Sequence, residues 1–305
     1  MTYEDHLFDL CQRDDRLVVM TAENRAAIRG LPDRLGDRFV DTGIAEMTLV
    51  GAAAGLALRG RVPVVHALAT FLTLRAYEFV RTDVGIAGLP VKLVGYVPGF
   101  LSEANGPTHQ AIEDIGVMRQ IPGMRVFAPS CNDELLAGLG DVLADPHPWY
   151  IRFNDKPARV EHTDGFAIGR AETLRDGDEI ALLVHGTLVG QAVAAAEELE
   201  RAGRSVRVVN LRTLPPLDIA AVLAAARETA LVVTVEDHLN TGGLLSQVCE
   251  LLVREQTAAE VLPLGLDTWF RPALLADILR YEGFTAEAIA DRVMTRWHAR
   301  KATHA

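Results

Sequence analysis

Only three cysteines occur in the 305 residues, Cys11, Cys131 and Cys249. They are odd in number and too scattered for a C-x-x-C metal or redox pair, which excludes a disulfide framework and a zinc ribbon. They read as buried small apolar side chains in a reducing compartment. Basic residues are also short, 30 Lys plus Arg against 41 Asp plus Glu for a formal charge of -11. That balance opposes attraction to a phosphate backbone or an anionic membrane surface, so no nucleic acid and no membrane partner is expected. No apolar run approaches the roughly 18 residues a membrane span needs. The first residues, MTYEDHLFDLCQRDD, place acids where a secretory signal or transit peptide would carry basic and apolar or acid-free stretches, and the expected location is cytoplasmic.

What the chain does have is enough apolar residue, 49%, to bury substantial cores, and its length suggests about two domains. Short β-branched runs alternate with longer helical patterns, the signature of βα repeats and a mainly parallel sheet. Strands are predicted at Arg16 to Thr21, Pro63 to Leu68, Val91 to Val97, Met124 to Pro129 and Trp149 to Phe153, with helices in MTLVGAAAGLALRG, LRAYEFVRTDVGIAG and NDELLAGLGDVLAD. The first two helices end at glycines suited to a C-terminal cap. From Lys156 to Asp178 the composition turns to charges and turn formers. A second βα series follows, with strands EIALLVHG, SVRVVNL, ALVVTVED and AEVLPLGL and helices such as LVGQAVAAAEELERAG and GLLSQVCELLVREQ. The expectation is an α/β chain of two doubly wound, mainly parallel-sheet domains, 1–160 and 179–305, joined by a linker and domain entry at 161–178. The polar tail from His298 to Ala305 is expected to fray.

Parallel sheets carry their functional side chains at the carboxyl ends of strands. Four such junctions stand out. FVDTGIAEMTLVGAAAGLA puts Glu46 at the mouth of a helix, where an acid is also favoured simply by the helix dipole. HALATFLTLRAYEFVR opens a helix with Thr70 and Phe71, and an aromatic there also suits a core. The long loop GYVPGFLSEANGPTHQ ends with His109, and loops of that length in compact domains tend to carry function. YIRFND places Arg152 inside an apolar strand, where the guanidinium needs either a bound anion or an internal carboxylate.

Taken in order, G-I-A-E at Gly43 to Glu46, T-F at Thr70 and Phe71, R-A-Y at Arg75 to Tyr77, and N-G-P-T-H-Q at Asn105 to Gln110 resemble the pyrimidine-binding domain of transketolases. TVEDHLNTGGLLSQVCE, Thr234 to Glu250, is similar to that family's C-terminal domain, so the resemblance spans nearly the whole chain. It implies a thiamine diphosphate enzyme in which Glu46 hydrogen-bonds the aminopyrimidine and favours its imino tautomer, a role that needs Glu46 to share or donate a proton. It further implies Ala45, Thr70 and Phe71 as cofactor-binding, with Phe71 stacked on the ring. His109 would line the substrate channel and move protons, and Arg152 would bind a sugar phosphate. The family's G-D-G, which holds the diphosphate through magnesium, is missing; D-G-D at Asp176 to Asp178 and L-G-D at Leu139 to Asp141 lie in the wrong context. The resemblance therefore implies a transketolase divided over two polypeptides. This chain would be the C-terminal subunit, sharing the cofactor with an N-terminal partner that binds Mg2+ or Ca2+, in an α2β2 assembly.

Two positions depart from the family. Asn105 stands where an acid usually reads a substrate hydroxyl, and Glu23 where a serine often helps bind phosphate; an acid there would repel a phosphate. Both leave the sugar or sugar-phosphate substrate open. Two further readings remain beside the transfer of a two-carbon ketol unit to an aldehyde. One is a β subunit like those of 2-oxo acid dehydrogenases, or a biosynthetic relative, passing its unit to a lipoyl or carrier-protein thiol. The other is a non-catalytic scaffold.

Overall fold

Along the first sheet successive side chains are buried on opposite faces: Val18 and Met20 enter one core cluster, Leu17 and Val19 another. A period-two strand hidden on both faces belongs in a parallel sheet covered by helices on each side, and that is the architecture found. The computed structural model describes residues 1–23 and 25–303, with side chains through residue 300. The first sheet comprises β1 (Leu17–Thr21), β2 (Phe39–Asp41), β3 (Val62–Leu68), β4 (Lys92–Tyr96), β5 (Arg125–Phe127) and β6 (Trp149–Arg152). They lie in the order β2-β1-β3-β4-β6-β5, every pair parallel. Its helices are α1 (Tyr3–Arg13), α2 (Leu31–Leu35), α3 (Glu46–Leu58), α4 (Tyr77–Phe79), α5 (Asp114–Met118) and α6 (Asn132–Ala144).

The second sheet has β7 (Glu172–Arg175), β8 (Ile180–Val184), β9 (Val206–Asn210), β10 (Leu231–Leu239) and β11 (Val261–Leu266), in the order β11-β10-β8-β9-β7. The helices are α7 (Val189–Arg201), α8 (Ile219–Glu228), α9 (Leu244–Arg254), α10 (Leu275–Tyr281) and α11 (Ala286–Thr303). The expected fold class is confirmed: two α/β units with mainly parallel sheets. The segment read as linker is more ordered than its composition suggested. It contributes β7, which pairs antiparallel with β9, a contact its charged, short sequence does not advertise. The polar tail is helical through Thr303, and residues 304–305 lie outside the described residues. LRAYEFVRTDVGIAG is not a regular α-helix, because π-helical turns at Phe71–Arg75 and Val80–Gly85 flank the single turn of α4.

The two units are sewn together. Val126 and Ala128 of the first sheet's edge donate backbone hydrogen bonds to the carbonyls of Pro215 and Arg212 at 2.7 and 2.9 Å, and Leu214 returns one to Val126 at 2.9 Å. Among the cysteines, Cys11 and Cys131 are buried as expected, but Cys249 is exposed on α9; it falls on the helix face away from the apolar stripe.

Beneath β3 and β1, His66 is fully buried. Its Nδ1 lies 3.2 Å from the Met20 carbonyl, which can only accept, so Nε2 accepts from the Tyr3 hydroxyl at 2.9 Å. The ring is thus neutral, and burial pushes its pKa down to about 4. An unfolded histidine takes up its proton near pH 6.5. The stability given by the neutral ring is therefore full above that value and is lost as pH falls towards 4. Urea unfolding is expected to lose about 3 kcal/mol from this residue between pH 6.5 and 4, and His66→Gln should flatten that part of the profile.

Candidate functional site

The chain runs from β1 outward to β2 and then returns past β1 to β3, so the strand order reverses between β1 and β3. In open parallel sheets the crevice beyond the carboxyl ends at such a reversal is where ligands bind. The loops that follow β1, β2 and β3 meet there around a cavity of about 480 Å³. Glu23, Arg25 and Arg29 line it from the first loop, Ile44 and Glu46 from the second, and Leu68 and Phe71 from the third.

Asp41, the last residue of β2, organises the first two loops. Its Oδ1 accepts from the backbone amides of Glu23 at 3.0 Å and Gly43 at 2.9 Å, and its Oδ2 takes the Arg25 guanidinium. Burial alone would raise its pKa, but these hydrogen bonds outweigh it and hold the carboxyl below its ordinary range. Gly43 has φ +67°, a left-handed turn that glycine adopts without a steric penalty. That turn points the chain into α3, whose N-cap Ala45 has no side chain to cap the helix. Giving up a polar cap costs about 1 kcal/mol, and it leaves the first turn open around Glu46.

Glu46 is 3% exposed. Its Oε2 accepts from Arg75 Nη1 at 3.1 Å, and the Arg75 guanidinium carbon sits 3.8 Å from the Phe71 ring centroid. Phe71 in turn meets the His109 ring edge-on, centroids 5.2 Å apart, and Thr108 Oγ1 lies 2.9 Å from His109 Nδ1. Carboxylate, guanidinium, aromatic face and imidazole thus form one contiguous row. Thr70 is buried, Ala45 separates two cavity-lining residues without lining the cavity itself, and Asn105 is exposed at the end of a 3-10 segment, Gly99–Asn105.

Glu23 does face the cavity, with φ +66°, but not as a lone acid. Arg25 and Arg29 share the wall, and Arg29 makes no ion pair among the described residues. The repulsion expected from Glu23 is therefore offset by a cation that sequence position alone did not flag. Arg75 was the other omission. It reads as locally packed from sequence, and in the fold it lies over the Phe71 ring four residues earlier and reaches Glu46 from the segment after another strand.

The structure places Arg152 away from the Glu46 cavity, among internal carboxylates. Its Nε donates to Asp114 Oδ2 at 2.9 Å and its Nη1 to Asp237 Oδ1 at 2.7 Å, and all three side chains are buried. The strand that carries it ends against the carboxyl end of β10, so the guanidinium meets a carboxylate from each unit instead of the Glu46 cavity. The internal partner, one of the two readings open from sequence, is the one the fold provides.

The donor set fits the aminopyrimidine half of thiamine diphosphate: a buried carboxylate at an uncapped helix start with an aromatic face beside it. Among the described residues no group of three metal-ligating side chains lines this cavity, so they offer no evident hold for the diphosphate half. The cluster that could ligate an ion among the described residues, Glu134, His162 and Glu172, contributes nothing to its wall.

Two family models match most of the chain. The profile of the transketolase pyrimidine binding domain matches residues 1–159, and that of the transketolase C-terminal domain matches residues 169–289. The chain is 38% identical over 293 residues to the 6-deoxy-6-sulfo-D-fructose transketolase subunit SqwH of Clostridium sp. (strain MSTE9), covering 94% of this chain and 91% of that one. It is 37% identical over 303 residues to a 1-deoxy-D-xylulose-5-phosphate synthase of Synechococcus sp. (strain JA-2-3B'a(2-13)), 96% of this chain but 46% of the synthase. The chain thus spans just under half the length of such relatives. Among solved structures, one described as a split gene transketolase, inactive beta4 tetramer, superposes with a TM-score of 0.87 at 31% identity, covering 96% of each chain.

Proposed function

The chain belongs to the transketolase family, and on that footing we propose that it is the C-terminal, cofactor-activating subunit of a two-component transketolase that moves a two-carbon ketol unit from a ketose to an aldehyde. The observation that carries the reading is the row Glu46–Arg75–Phe71–His109 at the sheet's reversal point, in a cavity whose described residues form a pyrimidine-end donor set.

Thiamine diphosphate, when bound, supplies a carbon nucleophile and an electron sink for breaking the bond beside a ketone. The residues of this chain would do the rest. Phe71 offers a flat apolar face for the aminopyrimidine. Glu46, held in place by Arg75, exchanges a proton with the ring nitrogen. His109, next to Phe71, is placed to pass protons to and from substrate oxygens. Arg29, without an ion-pair partner among the described residues, supplies a cation for the anionic end of a charged ketose, a feature consistent with the sulfonated sugar in the name of the SqwH relative. A partner subunit would hold the diphosphate and its magnesium or calcium, and the pairing would be α2β2. No helix among the described residues is long and apolar enough to cross a membrane, and the assembly is proposed to work in the cytoplasm.

The test is to purify the chain alone and with a candidate N-terminal subunit, and to titrate each with thiamine diphosphate and magnesium by calorimetry. The expected result is saturable binding and ketose cleavage only in the complex. Tight binding and turnover by this chain alone would overturn the two-component reading, and a complex that binds cofactor yet cleaves no ketose, with or without a sulfonate or phosphate, would overturn the transferase reading.

A further inference from the structure

On the far side of the first unit, where it meets the second, a different set of side chains converges. Cys131 is the N-cap of α6, a helix of 13 residues, and a thiolate there is favoured by the helix dipole. Its Sγ lies 3.5 Å from His162 Nε2, which also sits 3.0 Å from Ser130 Oγ, and His162 Nδ1 lies 2.6 Å from Glu172 Oε2. Sulfur, imidazole and carboxylate are thus in line, the nucleophile, base and orienting acid of covalent catalysis. The sulfur opens on a cavity of about 80 Å³ between the units, walled by Lys156 and Arg159 on one side and Thr187 and Gln191 on the other. None of its lining residues lines the Glu46 cavity, so the proposed transfer reaction does not use it.

A metal centre is the competing use of these groups, because Glu134, His162 and Glu172 bring ligand atoms within 4.8 Å of one another. Arg212 stands in its way. Its Nε lies 2.9 Å from Glu134 Oε1 and its Nη2 2.7 Å from Glu172 Oε2, both buried. That guanidinium counters one of the two carboxylate charges, and the His162 ring, 2.6 Å from Glu172 Oε2 and 3.5 Å from Cys131 Sγ, faces both the other carboxylate charge and the sulfur. The hydrogen bond to Cys131, followed by that to Glu172, raises the imidazole to about 9 against the opposing effect of burial. For Cys131 burial acts upward, but the bonds from His162 and the neighbouring groups win and lower the thiol.

We propose that Cys131 is a reactive nucleophile, paired with His162 and oriented through Glu172, and that it is a site of oxidation by a small hydroperoxide. The sulfur attacks one peroxide oxygen, forming an S–O bond as the O–O bond breaks. The departing hydroxide takes a proton from the His162 imidazolium and leaves as water, so the cysteine is oxidised by two electrons to a sulfenic acid while the peroxide is reduced. A water needs about 10–15 Å³ of such volume, so the cavity admits a molecule the size of hydrogen peroxide beside the sulfur.

The experiment is exposure of the purified chain to substoichiometric hydrogen peroxide, with peptide mass spectrometry following Cys131, Cys11 and Cys249. Cys249 is the internal control, exposed but with its thiol raised by its surroundings. At pH 7 Cys131 is expected to react at least about tenfold faster than Cys249, and its rate should fall less steeply between pH 8 and 6 than that of Cys249, which falls with its thiolate fraction. His162→Gln should bring Cys131 down to the rate of Cys249 without moving Cys249 itself. Oxidation of Cys249 ahead of Cys131 in the wild-type chain, or a Cys131 rate that falls with pH as steeply as that of Cys249, would overturn the proposal whether or not the variant folds.

Discussion

Glu46→Gln, assembled with its partner and cofactor, is expected to lose between about 10² and 10⁴ in kcat, the range a positioned proton-transfer group contributes. Glutamine keeps the length and planar end of the side chain, so the hydrogen bond from Arg75, 3.1 Å in the wild-type chain, retains an acceptor. Phe71 is untouched, and cofactor affinity should change by less than about tenfold, since π contact and apolar burial supply it. What the amide cannot do is take up and return a proton. The loss should therefore appear in kcat and in the rate at which the cofactor's acidic carbon exchanges its proton for solvent deuterium, with KM for the ketose near its wild-type value. A variant that keeps more than a tenth of the activity and exchanges at the wild-type rate would remove Glu46 from the reaction and revive the scaffold reading.

The environment explains why such a large effect is expected of a residue that looks ordinary in sequence. An acid in a helix's first turn is stabilised by the dipole, and by spacing alone Glu46 would be no more than that. In the fold it is 3% exposed, at a helix start whose N-cap is alanine, in a cavity that Arg29 also lines and beside the stacked Arg75. Such a position sacrifices local helix stability for access to a carboxylate, the kind of local inconsistency that marks functional sites.

The strand runs were legible because buried parallel strands read as unbroken β-branched segments, and nine of the eleven strands fall within or next to runs such as Arg16 to Thr21 and Trp149 to Phe153. The three-residue β2 and the edge strand β7 are too short or too charged to show a period, and β7 fell within the segment read as linker. At the site, Glu46, Phe71 and His109 could be named because each follows a strand end in a recurring order. Arg75 could not, because its hydrogen bond to Glu46 joins the segments that follow two different strands, a contact that residue spacing within one helix does not reveal. Arg152 was ambiguous for a different reason: one-dimensional sequence places a guanidinium in an apolar strand but says nothing of the carboxylates that another sheet will bring to it.

That ambiguity yields the second large effect. Arg152→Met is expected to destabilise the chain by about 3–5 kcal/mol, the cost of breaking a buried ion pair by removing one partner, and to lower Tm by roughly 10 °C. Asp114 and Asp237 would be left facing each other in the seam, both buried. Asp114 also accepts from the Tyr150 hydroxyl at 2.7 Å, and Asp237 from the Phe100 amide at 3.3 Å, but neither bond supplies a positive charge. Nor can the seam relax inward. Gly99, at φ +53°, already brings its backbone so close to Asp237 and Arg152 that a Cβ there would lie 2.0 Å from the Asp237 carboxylate, and His185 beside them is fully buried with its pKa pushed down, first by burial and then by Arg152. Replacing both carboxylates by asparagine in the Arg152→Met background should recover most of the loss, because it is the uncompensated charge rather than the missing contact that is costly. A phosphate-binding arginine would behave in the opposite way. Its loss would leave Tm within about 2 °C, as surface substitutions do, and would raise KM for phosphorylated ketoses alone. Thermal unfolding of the single and triple variants, with KM ratios for phosphorylated and unphosphorylated ketoses in the assembled enzyme, separates the two roles. An unshifted Tm joined to a selective rise in KM would return Arg152 to the substrate and mean that the seam between the two sheets opens in the working enzyme.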